Sequence, residues 1–252
     1  EKREIEQWYI KITDYAEELL ADLDKLPHWP EKVKSMQRNW IGKKHGTQIT
    51  FKIINEKDQE VDTVDVFTTR PDTLCGLTYL VLAPEHPLVH KLIKNTSIEA
   101  DAKTFIQNTM KESQTDRTNE EKDKQGLFIN HWVINPINGE KSPLYIGDYV
   151  LMEYGTGAVM AVPAHDERDY KFAKQHNLPI KVVIQPKDNP TTEIDKAYIE
   201  PGIMVNSGPF DGQDSESAKK TITKWLEDKK QGKRIVTYRL KDWLISRQRY
   251  WG

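Results

Sequence analysis

The sequence predicts an α+β fold: a mixed, β-barrel-like sheet surrounded by helices, with helical stalks. Two observations carry this reading. Apolar residues near the start recur at helical spacing, and apolar residues in the middle alternate with the period of two that a half-buried strand requires. A third observation, the turn to basic and aromatic composition from Arg234 to Gly252, sets the last segment apart from that core.

In the first segment Ile5, Trp8, Tyr9, Ile12, Ala16, Leu19, Leu20 and Leu23 predict one long amphipathic helix, closed by Pro27 and Pro30. Glu31 to Ile41 predicts a shorter basic helix stopped by Gly42. Composition changes at Lys43 to Gly46. Ile49, Phe51 and Ile53 then alternate, Val64 and Val66 do likewise, and Tyr79 to Leu82 is an apolar run ahead of Pro84, so three strands are expected. Ser97 to Gln125 is charged with few apolar residues and reads as solvated helix and loop without chemistry.

Further strands are expected at Trp132 to Ile134, Tyr145 to Leu151 and Ala158 to Val162, with a tight turn at Asn138-Gly139. A helix from about Asp166 to His176, followed by a strand at Ile180 to Ile184, makes a strand-helix-strand unit. Asp214 or Ser215 caps a helix through Trp225 and Leu226. These elements divide the chain into an N-terminal flank, 1–44, a core domain, 45–232, and a C-terminal flank, 233–252. The stop at Trp251-Gly252, without a polar tail, reads as a piece of something larger.

At 252 residues and 37% hydrophobic the chain can bury a sizeable core. No apolar run approaches the roughly 20 residues that span a bilayer, so no membrane partner is expected. The single cysteine, Cys75, rules out an internal disulfide and fits a reducing cytoplasm; following Leu74 it reads as a small packed hydrophobe rather than a nucleophile. A net charge of -2 argues against broad coating of nucleic acid, so any RNA contact is local.

Two stretches concentrate chemistry. Phe67 to Gly76 packs hydroxyls, a guanidinium and a stiffening proline directly after a strand and reads as a polar pocket wall, with Pro71 pushing Arg70 toward extended geometry. Threonines are also ordinary strand formers, and Pro-Asp is an ordinary turn. Gly155 to Tyr170 runs from a glycine-bounded strand into an acidic helix start. There Asp166 and Asp169 lie three apart, on one helix face, as paired carboxylates for acid-base work or merely as an N-cap and a dipole-favoured first-turn acid. His165 has the ordinary pKa of a general base, although a histidine in a helix-entry loop is more often a structural hydrogen-bonder. No H-E-x-x-H motif or cysteine cluster supports a metal, so none is expected, and Gly155-Thr156-Gly157 lacks the spacing of a phosphate-cradling loop.

Four separated blocks resemble the leucyl family of class I aminoacyl-tRNA synthetases: Trp29 to Gly42, Thr68 to Thr73, Gly155 to Tyr170 and Asp242 to Gly252. The isoleucyl and valyl families share the layout, but the first and third blocks look leucyl. The resemblance implies that 45–232 is the editing domain inserted into the synthetic domain, with 1–44 and 233–252 as flanks of that domain. The HIGH and KMSKS signatures that handle ATP are absent, so ATP would serve only the full-length parent and editing would need no cofactor.

By the same resemblance, the activity is hydrolysis of mischarged tRNA(Leu), a second sieve needed because one methylene changes pocket binding by only about 1 to 3 kcal/mol. Asp169 would pair with the substrate's α-ammonium, and Thr73 would crowd out leucine. Thr68, Thr69 and Arg70 would line the terminal adenosine and scissile ester; Met160, Val162 and Tyr154 would shape the pockets, with His165 and Asp166 beside them. Catalysis would fall to Asp169, Thr68, Thr69 and Asp166 acting on a bound water. Cys75 stands where the family is often bulkier, and Ala164 where glycine is frequent. The expected partners are the aminoacylated 3' end of tRNA(Leu), a noncognate amino acid and the rest of the synthetase in cis. The competing reading is an inactive tRNA-docking module, and an esterase built on Cys75 or His165 ranks last.

Overall fold

The computed structural model describes residues 6–119, 122–153, 155–188, 190 and 194–246. It divides into two compact units, Gly46–Ile235 and Glu1–His45 with Val236–Gly252.

The larger unit is built on seven strands. β2 (Lys44–Ile54) and β3 (Glu60–Thr68) form an antiparallel hairpin in which Ile49 faces Val66 and Phe51 faces Val64. Thr47, Ile49, Phe51 and Ile53 are buried in alternation. A one-residue slip would turn this set to solvent, at about 1.5 to 3 kcal/mol per large side chain, so the pattern fixes the register. β5 (Gly126–Ile134) pairs with β2 and with β6 (Lys141–Gly147), and the Asn135–Glu140 turn between them carries Gly139 at φ 73°.

β4 (Tyr79–Leu82) lies between β6, to which it is parallel, and β7 (Ala158–Ala161), to which it is antiparallel. Both its faces are covered: Leu80 and Leu82 enter the main core, while Tyr79 and Val81 enter a second, aromatic cluster. That double burial is why Tyr79 to Leu82 reads as an unbroken apolar run. α6 (Glu167–Gln175) closes the second cluster, with Phe172 stacked on Tyr79 at 5.0 Å between centroids.

With β10 (Gly232–Thr237), the sheet order is β10-β2-β5-β6-β4-β7, with β3 on β2. Among the described residues no ladder joins its ends, so the sheet is mixed but open. β3 and β7 nevertheless lie alongside each other.

Around the sheet run α3 (Pro87–Ile93), α4 (Glu99–Lys111), α5 (Gln114–Thr118) and α7 (Ser215–Asp228). Asp214 supplies the N-cap of α7 by accepting from the Glu216 amide. The expected strand-helix-strand unit is not formed. β8 (Ile184–Gln185) pairs only with β9 (Ile203–Met204), in a separate two-stranded sheet. The backbone before it is stapled by side chains instead, because the Val183 and Ile184 amides donate to His165.

In the smaller unit the long amphipathic helix is also replaced. Tyr9–Ile10 is β1 and pairs with β11 (Trp243–Leu244), a 3-10 turn follows at Ile12–Tyr15, and α1 is only Ala16–Asp22. Ile5 lies outside the described residues. Asp242 ends the helical pattern locally, since its Oδ1 accepts from both the Thr13 amide, 3.2 Å, and the Thr13 hydroxyl, 2.7 Å. Ala16 and Leu23 still pack with Ile41 and Leu240. α2 (Glu31–Ile41) ends at Gly42 in the left-handed conformation, φ 59°, as its sequence predicts.

Candidate active site

Thr68 ends β3, and Pro71 opens a wholly buried 3-10 turn, Pro71–Gly76. The turn is fastened by its own polar groups. The Thr68 hydroxyl accepts from the Arg70 amide at 2.9 Å, and the Thr73 amide and hydroxyl both donate to the Arg70 carbonyl, at 3.1 and 2.8 Å. The Arg70 guanidinium grips the fully buried Asp72 carboxylate, Nε at 3.0 to 3.1 Å and Nη2 at 2.9 Å. Burial pushes the Asp72 carboxyl up, opposed by the guanidinium beside it. Another Arg70 nitrogen donates to the Ile199 carbonyl.

The second wall begins at Gly155 and Gly157, with φ of 66° and 71°, where the chain turns into β7. Met160 and Val162 are buried on or just after that strand. Asp166 is the N-cap of α6: its Oδ1 accepts from the Arg168 and Asp169 amides, both at 3.0 Å. Asp169, in the first turn, is 2% exposed. Its Oδ2 accepts from the Val162 amide at 2.9 Å, while its Oδ1 has no hydrogen-bond partner. Burial first, and then the Asp166 charge, push the Asp169 carboxyl up to about 7 against the pull of Arg168.

Two backbone segments tie the walls together. Ile199 receives Arg70, while the adjacent Tyr198 carbonyl meets His165 Nδ1 at 2.9 Å. A carbonyl only accepts, so Nδ1 carries the proton, and Nε2 accepts from the Val183 and Ile184 amides at 3.0 and 3.2 Å. Burial lowers His165 to about 4. A cavity of about 680 Å³ opens beside α6, lined by Asp166, Arg168, Lys171, Tyr149 and Ile199 among others. It meets the walls at Asp166 and Ile199 and does not reach Thr73 or Asp169.

The family described as leucyl-tRNA synthetase, editing domain, matches residues 38–227. The chain belongs to that family. It is 52% identical over 254 residues to the leucine--tRNA ligase of Petrotoga mobilis, covering 100% of this chain and 30% of that protein. To the leucine--tRNA ligase of Trichodesmium erythraeum it is 55% identical over 253 residues, covering 100% and 27%. A crystal structure of the Agrobacterium radiobacter K84 agnB2 LeuRS in a ternary complex with tRNA and LeuAMS matches with a TM-score of 0.75 at 36% identity, over 98% of this chain and 27% of that one. The chain thus spans about three-tenths of the length of the curated relatives it matches.

In this leucyl editing domain the expected residues separate by how much bonding capacity they retain. Thr69 is exposed, with no side-chain partner among the described residues, and Thr68 still holds its own hydroxyl proton. Thr73 and Arg70 are spent on the turn, and Asp166 on the cap. His165 is corrected as a candidate base, since both ring nitrogens are consumed by backbone and the ring is neutral. Tyr154 lies outside the described residues, as do Arg247 to Gly252. Cys75 is buried, its thiol pushed up to about 11 by burial, which removes the cysteine-esterase reading.

Three residues were missed. Asp72 reads as a turn acid, yet it anchors Arg70. Tyr149 reads as a strand residue, yet its hydroxyl is buried beside the Tyr79 hydroxyl and Asp169. Arg117 falls in the stretch read as solvated, yet it is 4% exposed. The alternating charge around it hides that burial, and no signal in the sequence marks it.

Proposed function

We propose that this chain hydrolyses the ester of mischarged tRNA(Leu), with isoleucyl, norvalyl or a similar noncognate group as the acyl part. The observation that carries the reading is Oδ1 of Asp169, a buried carboxylate oxygen that accepts no hydrogen bond from the described residues and so keeps its lone pairs for one strong donor. An α-ammonium is that donor, and a charge-assisted bond to it would bring the carboxyl into its ionised form. Thr73, stiff at χ1 and bonded to Arg70, acts as the fixed wall that denies leucine a productive seat.

The reaction is attack of water on the acyl carbon, with the tRNA ribose oxygen as leaving group. The Thr68 and Thr69 hydroxyl protons are free to steady the developing oxyanion. Asp166 contributes by holding the first turn of α6, and thus Asp169, in place, while Arg70, Met160 and Val162 shape the adenosine and side-chain pockets. The sheet works as a barrel-like frame, with residues 45–232 as the editing domain and 1–44 and 233–252 as flanks of the synthetic domain. The full-length cytoplasmic protein would join leucine to tRNA(Leu) with ATP and present the charged 3' end to this domain in cis.

The test is deacylation of preformed isoleucyl-tRNA(Leu) and leucyl-tRNA(Leu) by the chain and by its Asp169→Ala and Thr73→Ala variants. Selective loss of the isoleucyl ester is expected, abolished by Asp169→Ala and extended to leucine by Thr73→Ala. Binding of tRNA without turnover, here and in the full-length protein, would replace this reading with that of a docking module.

A further inference from the structure

Arg117 sits on the five-residue α5, in a run of charged residues, yet its guanidinium is engaged at all three nitrogens. Nε donates to the Asp148 carbonyl at 2.7 Å and Nη2 to the Val150 carbonyl at 2.6 Å, and the fork is closed by Glu85. The residue between those two carbonyls is Tyr149. Its ring lies against Phe172, 5.7 Å between centroids, and under the Arg168 guanidinium at 5.2 Å. Arg168 Nε in turn stands 3.8 Å from Asp169 Oδ1, too far for a hydrogen bond and close enough to act as its counter-charge.

We propose that Arg117 is a positioning residue for Asp169: it locks the Asp148–Val150 backbone and so holds Tyr149 as the platform that keeps Arg168 beside the open carboxylate oxygen. This rests on the reading of Asp169 as the ammonium receptor. Arg168 is 44% exposed, and without the platform its long side chain is free to turn into solvent. The titratable groups facing Asp169 are Asp166 and Arg168, charged, at the start of its own helix, and the neutral Tyr149 and Tyr79 hydroxyls from the sheet side. Arg168 is therefore the only cation among these groups, and its loss favours the neutral acid. Lysine cannot replace Arg117, because a single ammonium cannot bridge two carbonyls and a carboxylate in one plane.

The decisive experiment follows the Asp169 side-chain carboxyl by carbon NMR across pH 4 to 9 in this chain, for the wild type, Arg117→Lys, Arg168→Met and the double variant. Arg117→Lys is expected to raise the titration midpoint by about one unit, which near pH 7 cuts the ionised fraction about fivefold. The Arg168→Met variant should move it the same way, and Arg117→Lys should add nothing in that background. Deacylation should then show a KM rise of about fivefold at pH 7, with kcat little changed, that disappears at pH 8.5.

An unmoved midpoint, or an equal shift in both backgrounds, overturns the proposal and leaves Arg117 a purely structural anchor. If Arg117→Lys does not fold, Tyr149→Leu carries the same expectations, since it removes the platform and leaves the Arg117 bonds intact. The titration reads out whether or not the chain hydrolyses esters, so failure of the editing reading and failure of this relay remain distinct.

Discussion

The two walls of the site are built on opposite principles. The Thr68–Gly76 wall bonds to itself: Thr73, Thr68 and Asp72 all close on Arg70, and the Thr68 and Thr69 hydroxyl protons stay unspent among the described residues. The Ala158–Tyr170 wall ends in a carboxylate left half-satisfied at 2% exposure. A self-bonded wall is rigid and discriminates by shape, whereas a half-satisfied one binds by charge. Under the proposed function, selection against leucine and attraction of an ammonium would fall to different segments, each open to alteration with the other left standing.

The contrast breaks most visibly at Asp169. Asp169→Asn replaces the charge receptor with a neutral amide and should lower kcat/KM for isoleucyl-tRNA(Leu) about a thousandfold, a loss in the range for truncating one partner of a buried charge pair. An effect below tenfold would move the receptor elsewhere. Next is Arg70→Met, which leaves Asp72 buried and unpaired and should cost about 3 kcal/mol in denaturant unfolding. Adding Asp72→Asn should restore part of that, as expected if the pair serves the wall and not the ligand.

The third prediction separates two opposing pH trends. The Asp169 carboxyl is raised on folding, so the stability it contributes is present below pH 4 and lost as pH rises toward 7. His165 is lowered, so its contribution is present above pH 6.5 and lost as pH falls toward 4. These trends offset each other in the wild type. Asp169→Asn removes the first, and the variant should lose about 3 kcal/mol on acidification from pH 7 to 4, relative to wild type. Parallel stability curves would refute the assignment. The smallest effect belongs to Cys75: Cys75→Ala should cost about 1 kcal/mol for the lost buried contact and leave deacylation unchanged, as should a thiol-blocking reagent.

Much of this was legible in the residues. The alternation of Ile49, Phe51 and Ile53, the glycine stop at Gly42 and the cap at Asp214 are local signals, and they hold because nothing distant competes with them. The failures have distant causes. The helix expected from Ile5 is broken by Asp242 and a strand some 230 residues away in sequence, and of Ile180 to Ile184 only Ile184 is strand, with the Val183 and Ile184 amides taken up by a histidine side chain. Within the site, the sequence offers acids and hydroxyls by type and order, but not how much of each is spent on its own wall. Arg70 was expected to face the substrate, and the burial of Asp72 that engages it depends on the packing of the whole turn. Arg117 is the extreme case, a buried cation that a charged neighbourhood disguises as solvent-facing.

The β1–β11 ladder sets Tyr9 against Leu244 and Ile10 against Trp243, so the chain leaves and returns through one two-strand doorway. A loop that leaves and returns at the same place can be spliced into a host chain without prying the host's own strands apart. Entry and exit can be lengthened, shortened or moved together as a single graft. Such a doorway would let the segment it closes, and any activity that segment carries, be gained or shed in one event.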